Sequence, residues 1–282
     1  MRRAVVTLVV VAALATGGLV ALAQLRAVHV PFVSDTCRVY ADSNIVRLAP
    51  DQITHAATIT AVAARRKLPE RAVTIALATA FQESKLRNLA AGDRDSIGLF
   101  QQRPSQGWGQ PEQLRDPRYA ARKFYDKLLK VRGWQQMPLT DAAQAVQRSA
   151  TPLAYAQWED EASALSKAFL GAETGAVTCQ LRQETKLTGT EGVRDVVAEL
   201  RHDLGALRVT PKPDAQKPGM TVTVNDGTLG WRTAHWLVAK SHQYGIRRVS
   251  FAGKEWTSES GKWQVAGSAD ARTIQVAMLQ KA

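Results

Sequence analysis

Cysteine is nearly absent: Cys37 and Cys179 are the only two in 282 residues, and neither has a neighbouring histidine or an oxyanion-type motif. A catalytic cysteine is thereby disfavoured. Histidine is scarce too. The five present form no His-Glu-x-x-His pattern, and His235 and His242 stand seven apart, two helical turns rather than one. No metal site and no cofactor is expected. Acidic residues are in deficit, with 25 Asp and Glu against 37 Lys and Arg, a net charge of +12. That excess invites a nucleic-acid reading, but the basic residues form no dominant block and the N-terminus argues for export. A diffuse basic surface suits an anionic wall or lipid headgroups, or serves solubility alone. Repeats and low-complexity tracts are also missing, which leaves ordinary packed domains.

What the chain does have begins at its first residues. Arg2 and Arg3 precede an uncharged apolar run from residue 4 to residue 23. At about 1.5 Å per residue such a helix reaches roughly 30 Å, the hydrocarbon thickness of a bilayer. Residues 1–30 therefore read as a membrane-spanning anchor or as a signal peptide, for which Ala21-Leu22-Ala23 offers a small-x-small cleavage site. Either reading places the remainder outside the cytoplasm, at the cell membrane or secreted to the wall. In an oxidising compartment, two cysteines that flank a domain predict one disulfide joining its ends, with two unrelated thiols as the alternative.

The patterning then predicts a mostly helical domain over 31–180, a linker over 181–188 and a small α+β domain over 189–282. Helical spacing of apolar residues marks 51–67, and a second helix follows Pro69 through Ser84. That second helix is apolar nearly all round, so it should be the buried central one. A loop with a short hairpin is expected over 87–113, then helices over 116–131, 140–149 and 152–171. Further on, helices are expected over 192–207 and 231–244 and strands over 221–224, 247–252, 262–266 and 272–277. The Pro- and Lys-rich stretch 210–220 should enter no helix and no central strand. Trp231, Trp236, Trp256 and Trp263 could form a binding face, but in so short a domain most should be core. Nothing in the sequence says what the C-terminal region does.

The central helix delivers Glu83 at its C-terminal end. Glycosidic cleavage needs a carboxylic acid still protonated near neutral pH, and desolvation among Ile75, Ala76, Leu77, Ala80 and Phe81 would raise this one. A solvent-facing Glu in a last helical turn is the plain alternative. What lifts Glu83 is the pair of motifs "QES" and, one loop later, "SIGLFQQ". In both, the chain resembles the lytic transglycosylase and goose-type lysozyme superfamily, over roughly 56–171. Glu83 and Ser84 match its Glu-Ser pair; Ser96, Gly98, Leu99 and Gln101 match its Ser-x-Gly-Leu-x-Gln segment.

The resemblance implies a lysozyme-like fold for 31–180 and cleavage of the bond between N-acetylmuramic acid and N-acetylglucosamine in peptidoglycan. Glu83 would be general acid and then base, the sugar's own 6-hydroxyl attacking to give a 1,6-anhydro product. Were water the attacker, a second carboxylate would be needed, and Asp93 and Asp95 are the candidates, though both also read as turn formers in "GDRDS". The family's third motif is altered: "AVQRS" puts Gln147 where an Asn is usual and Val146 where a Tyr is usual. Tyr155 is placed to supply a later Tyr beside the acid, or to pack. Phe100 replaces the usual Met and should line an apolar wall. Gln101, Gln102 and Arg103, with Trp108 nearby, fit a sugar-binding rim, and Trp108 fits a core cap equally. The alternative function is a wall-binding envelope protein that grips glycan without cutting it and localises partners. A third, resting on the tail region alone, is an accessory factor for an envelope machine.

Overall fold

A computed structural model describes residues 35–41, 44–149, 152–182, 188–212, 214, 216–267 and 270–280. The expected anchor or signal over 1–30 and most of the expected linker lie outside the described residues. Among those described, no helix is long and apolar enough to cross a membrane.

The fold is mixed α+β. It begins with β1 (Thr36–Ala41) and β2 (Asn44–Leu48), two short strands with no counterpart among the expected elements. Helices α1 (Pro50–Arg65) and α2 (Glu70–Ser84) follow. Next come a 3-10 turn at Pro104–Gln106 and helices α3 (Pro111–Leu114), α4 (Pro117–Leu128) and α5 (Leu139–Gln147). The segment read as one helix over 152–171 is divided: Pro152–Trp158 is 3-10, and α6 (Glu159–Leu170) is α-helical. The remaining elements are β3 (Val177–Gln180), α7 (Gly189–Leu204), β4 (Arg208–Lys212), β5 (Gly219–Thr223), α8 (Gly227–Ala239), α9 (Ser241–Tyr244), β6 (Ile246–Phe251), β7 (Lys254–Thr257), β8 (Lys262–Val265) and β9 (Thr273–Met278).

Helix α2 is the axis of the fold. From Ala72 to Phe81 every residue is buried, so its hydroxyls must be satisfied locally. Thr79 donates to the Ile75 carbonyl at 2.7 Å, and Thr74 donates to Ser166 of α6 at 3.1 Å. The helix stops at Lys85 in the left-handed region, with φ of 54°. Two side chains one turn apart on α1 hold that stop. Gln52 donates to the Lys85 carbonyl at 2.7 Å, and His55 Nδ1 meets the Leu86 carbonyl at 2.7 Å. Carbonyls that the last turn leaves without a partner are thereby satisfied.

Two antiparallel sheets flank the helices. The three-stranded sheet has order β2-β1-β3, and the six-stranded sheet has order β4-β5-β9-β6-β7-β8. The proline-containing β4 lies at an edge, where Pro211 costs no central ladder bond. Cys37 of β1 stands opposite Cys179 of β3 and the two form a disulfide that spans 142 residues. In the chain-entropy description, closing so long a loop stabilises by roughly 4 to 5 kcal/mol. Reduction, or Cys37→Ser with Cys179→Ser, is expected to lower unfolding free energy by about 2–5 kcal/mol in urea titration. An unchanged midpoint would show that this closure contributes nothing.

Residues 35–282 form one compact unit with a continuous core. Side chains before and after 181–188 share it. At the junction, Gly171 caps α6 with φ of +84°, and a Cβ there would fall 2.1 Å from the Thr228 carbonyl of α8. His235 of α8 is fully buried and bridges the same seam, with Nδ1 2.7 Å from the Ala168 carbonyl and Nε2 accepting the Ala176 N–H at 3.0 Å. Those partners fix the neutral tautomer with its proton on Nδ1, and burial drops the pKa to about 4. Trp231, Trp236 and Trp256 are core, while half-buried Trp263 donates to the Val177 carbonyl at 2.8 Å.

Candidate active site around Glu83

Glu83 emerges from the buried axis one residue before that axis ends. Its neighbours Phe81 and Ser84 are buried, while its own side chain is half-buried at the edge of the core. Tyr155, fully buried on the 3-10 segment, donates its hydroxyl to Glu83 Oε1 at 2.7 Å. The Gln147 side chain at the end of α5 also acts on the carboxyl, in the direction that favours its ionised form. Three opposing effects act on the acid. Burial raises its pKa, Tyr155 and Gln147 lower it, and burial prevails, leaving the pKa above the ordinary carboxylate value. Because Oε1 already accepts from Tyr155, the proton of the neutral acid is left to the other oxygen. The same proximity, together with burial, pushes the Tyr155 phenol up, so that it remains a donor.

Gln147 joins this carboxyl to the facing loop, its Nε2 donating to the Phe100 carbonyl at 2.7 Å. Among the described residues its Oε1 has no partner although it is buried. Gln147 and Val146 also line a cavity of 480 Å³ with Trp108, Lys127, Lys130 and Arg148. This size falls within the range of small-ligand sites.

The facing loop is a tight hairpin. Ile97 and Gln102 exchange backbone bonds at 3.0 and 3.1 Å, and the turn lies between them. Gly98 occupies φ of +79°, and a Cβ on it would sit 2.4 Å from the Leu114 carbonyl, so both the conformation and the space require glycine. Ser84 is buried, and its hydroxyl lies 2.7 Å from the Leu99 carbonyl, which ties the end of α2 to this loop. Ser96, also buried, donates to Gln101 Oε1 at 2.8 Å, and Gln101 Nε2 donates to the Gly98 carbonyl at 3.1 Å. Leu99 and Phe100 are fully buried, with Phe100 stacked on Phe124 at 4.9 Å. Gln102 is 1% exposed and donates to the Ala120 carbonyl at 3.0 Å. The motif residues thus act chiefly on one another: they hold the loop against α2 and α4. Of those expected at a sugar-binding rim, Gln102 and Trp108 are core, the indole being 3% exposed with Lys127 Nζ 3.2 Å from its ring centre.

The two candidate second carboxylates differ. Asp93 is exposed and pairs only loosely with Arg94, at 3.9 Å. Asp95 accepts from Arg103 Nε at 2.7 Å and from the Ser105 backbone at 2.8 Å, which holds its pKa far below the usual range. So stabilised a carboxylate is a weak base; its observed work is to pin the hairpin to the turn that follows.

Sequence reasoning missed Gln52 and His55, although their i, i+3 spacing on α1 was a readable sign of a shared face. It gave Trp158 no place in the site. The indole stacks on Phe81 at 5.1 Å, donates to Gln82 at 3.0 Å and lies 4.0 Å beneath Lys85 Nζ, forming an aromatic shelf beside the acid's neighbours. Among the described residues, no three His, Cys, Asp or Glu cluster as a metal would need.

No protein-family model matches the chain, and no curated protein is significantly similar to it, so the reading of this site rests on its own chemistry.

Proposed function

We propose that this protein cleaves the glycan strands of peptidoglycan as a lytic transglycosylase, with Glu83 as its single catalytic acid and base. The observation that carries the reading is a desolvated carboxyl at the end of a buried helix, hydrogen-bonded by Tyr155 and pushed upward in pKa. It stands opposite a rigid hairpin whose residues resemble the second motif of that family.

In the reaction, neutral Glu83 gives its proton to the bridging oxygen as the bond from the muramic-acid anomeric carbon breaks. The 6-hydroxyl of the same sugar then closes on that carbon and returns its proton to Glu83. One C–O bond breaks and one forms, no water is consumed, and the carboxyl ends as it began. Tyr155 stabilises the carboxylate between the two transfers. This route needs neither Asp93 nor Asp95. The cavity beside Gln147 carries Lys127, Lys130 and Arg148, which suit the carboxylates of wall peptides. A signal or anchor over 1–30 and the disulfide fit a setting outside the cytoplasm, at the membrane or in the wall.

The test is digestion of purified sacculi followed by mass spectrometry of the released fragments. Anhydromuramic ends are expected. Reducing ends would replace transglycosylation by hydrolysis, and co-sedimentation with sacculi without any release would replace the enzyme by the glycan-gripping envelope protein.

A further inference from the structure

Part of the charge excess gathers in a place the cleavage chemistry does not use. A hollow of 480 Å³ opens where α1, α4 and α7 meet, and it is lined by Arg65, Arg66, Arg118, Arg122, Arg201 and His202. The only carboxylate lining it, Asp203, is already committed to Arg118 Nε at 2.6 Å. Two of the five guanidinium groups are neutralised, Arg66 by Asp126 and Arg118 by Glu199 and Asp203. Arg65, Arg122 and Arg201 have no carboxylate partner among the described residues. A second hollow shares Arg65 and Arg201 and adds Arg208.

These groups are not simply splayed into water. Arg65 Nη1 donates to the carbonyls of Arg201 and His202 at 3.2 Å each, so the end of α7 positions it. Arg66 Nη1 donates to the Arg122 carbonyl at 3.2 Å, which fixes α4 against α1 beside the hollow. Like charges gathered around one concavity repel each other unless an anion sits between them. Guanidinium is the side chain that matches phosphate oxygens in bidentate fashion. Three uncompensated cations exceed the charge of one carboxylate and match a multiply charged phosphate.

We propose that the hollow between α1, α4 and α7 binds a multiply charged phosphate anion through Arg65, Arg122 and Arg201. The site is independent of Glu83 and shares no lining residue with the cavity beside Gln147. Two sources present this chemistry, a soluble polyphosphate or phosphate monoester and a lipid headgroup that ends in a phosphate monoester.

The test is isothermal titration of the full-length protein at physiological salt with inorganic tripolyphosphate and, separately, with dihexanoyl phosphatidic acid. Saturable binding is expected for at least one of them. The Arg122→Ala/Arg201→Ala variant should bind it roughly 10-fold or more weakly, since each charge-assisted hydrogen bond lost has about that effect. Tighter binding of tripolyphosphate assigns a soluble source, and tighter binding of the lipid assigns a headgroup. Glu83→Gln should bind as the wild type does, which separates this proposal from the cleavage reading. Three results overturn it: no saturation with either probe, an equal loss on replacing Lys127 and Lys130 of the other cavity, or unchanged affinity in the arginine variant. An unaltered urea midpoint for the variant shows that any loss is not unfolding.

Discussion

Glu83→Gln is expected to reduce release of fragments from sacculi by about 10²–10⁴-fold, the range that a positioned general acid contributes. The amide keeps the shape of the carboxyl and can still accept from Tyr155, but it has no proton acidic enough to give. The same substitution is expected to leave the fold intact and to raise its stability slightly at neutral pH. Burial disfavours the ionised form of Glu83 in the folded state, so its folded pKa lies above the unfolded value. Above both values the wild type carries the cost of a partly desolvated charge, and glutamine does not. That cost fades as pH falls through the folded pKa, so the two midpoints should converge on acidification. Wild-type activity has the matching dependence, falling as pH rises through the same pKa. Paired urea titrations and digestions of the two proteins across pH 4–8 would measure both effects. Equal activity would remove Glu83 from the chemistry, and a variant much less stable than the wild type would make its carboxylate structural.

Asp203→Ala should be among the most destabilising single substitutions in the chain, by about 3–5 kcal/mol. Its side chain is 1% exposed and is held from three directions. Arg118 of α4 donates at 2.6 Å, Trp236 Nε1 of α8 donates at 2.9 Å, and Lys240 Nζ lies 3.9 Å away. Lys240 is itself 3% exposed and donates to Thr58 of α1 at 3.0 Å. Removing the carboxylate strips the buried indole N–H and Arg118 Nε of their acceptor and leaves the buried ammonium with Glu199, at 3.7 Å, as its counter-charge, which costs more than the pair gains. Since α1 and α4 lie before the disulfide's second cysteine and α7 and α8 after it, the loss should loosen the joint between the two parts of the core. Urea unfolding followed by tryptophan fluorescence, in which Trp236 reports directly, checks it. A change below about 1 kcal/mol would mean that water replaces the carboxylate there.

The contrast between these two residues shows what the sequence could and could not convey. The desolvated setting of Glu83 was legible because α2 is apolar nearly all round, which is a local pattern, and because the motif residues packed beside it follow within one loop. Asp203, Arg118 and Lys240 were not, because their association depends on how helices distant in the chain pack, and each alone reads as a solvated charge. The strands β1 and β2 escaped notice because five or six residues alternate too briefly to stand out. Residues 152–158 read as a continuation of the helix that follows, but their backbone tightens to 3-10, and this turn is what aims Tyr155 at the acid. Of the stretch 210–220 that was excluded from central strands, Pro211 lies in the edge strand β4, but Gly219 and Met220 begin the central strand β5, because the last proline, Pro218, stands just before it. Around the motif loop, the resemblance picked out Ser84 and Ser96, and the rim reading picked out Gln102, but neither gave their partners. Only the packed structure places the Leu99 carbonyl, the Gln101 amide and the Ala120 carbonyl against them.

Carbon-13 NMR titration of the Glu83 side-chain carboxyl, assigned by its loss in Glu83→Gln, addresses the proton itself. The resonance is expected to titrate above the ordinary glutamate value of 4.5 and to shift lower when Trp158 and Phe81 are replaced by smaller, more polar residues that admit water. A carboxyl that titrates at or below that value would be ionised whenever substrate arrives, and Glu83 would then have no proton to give.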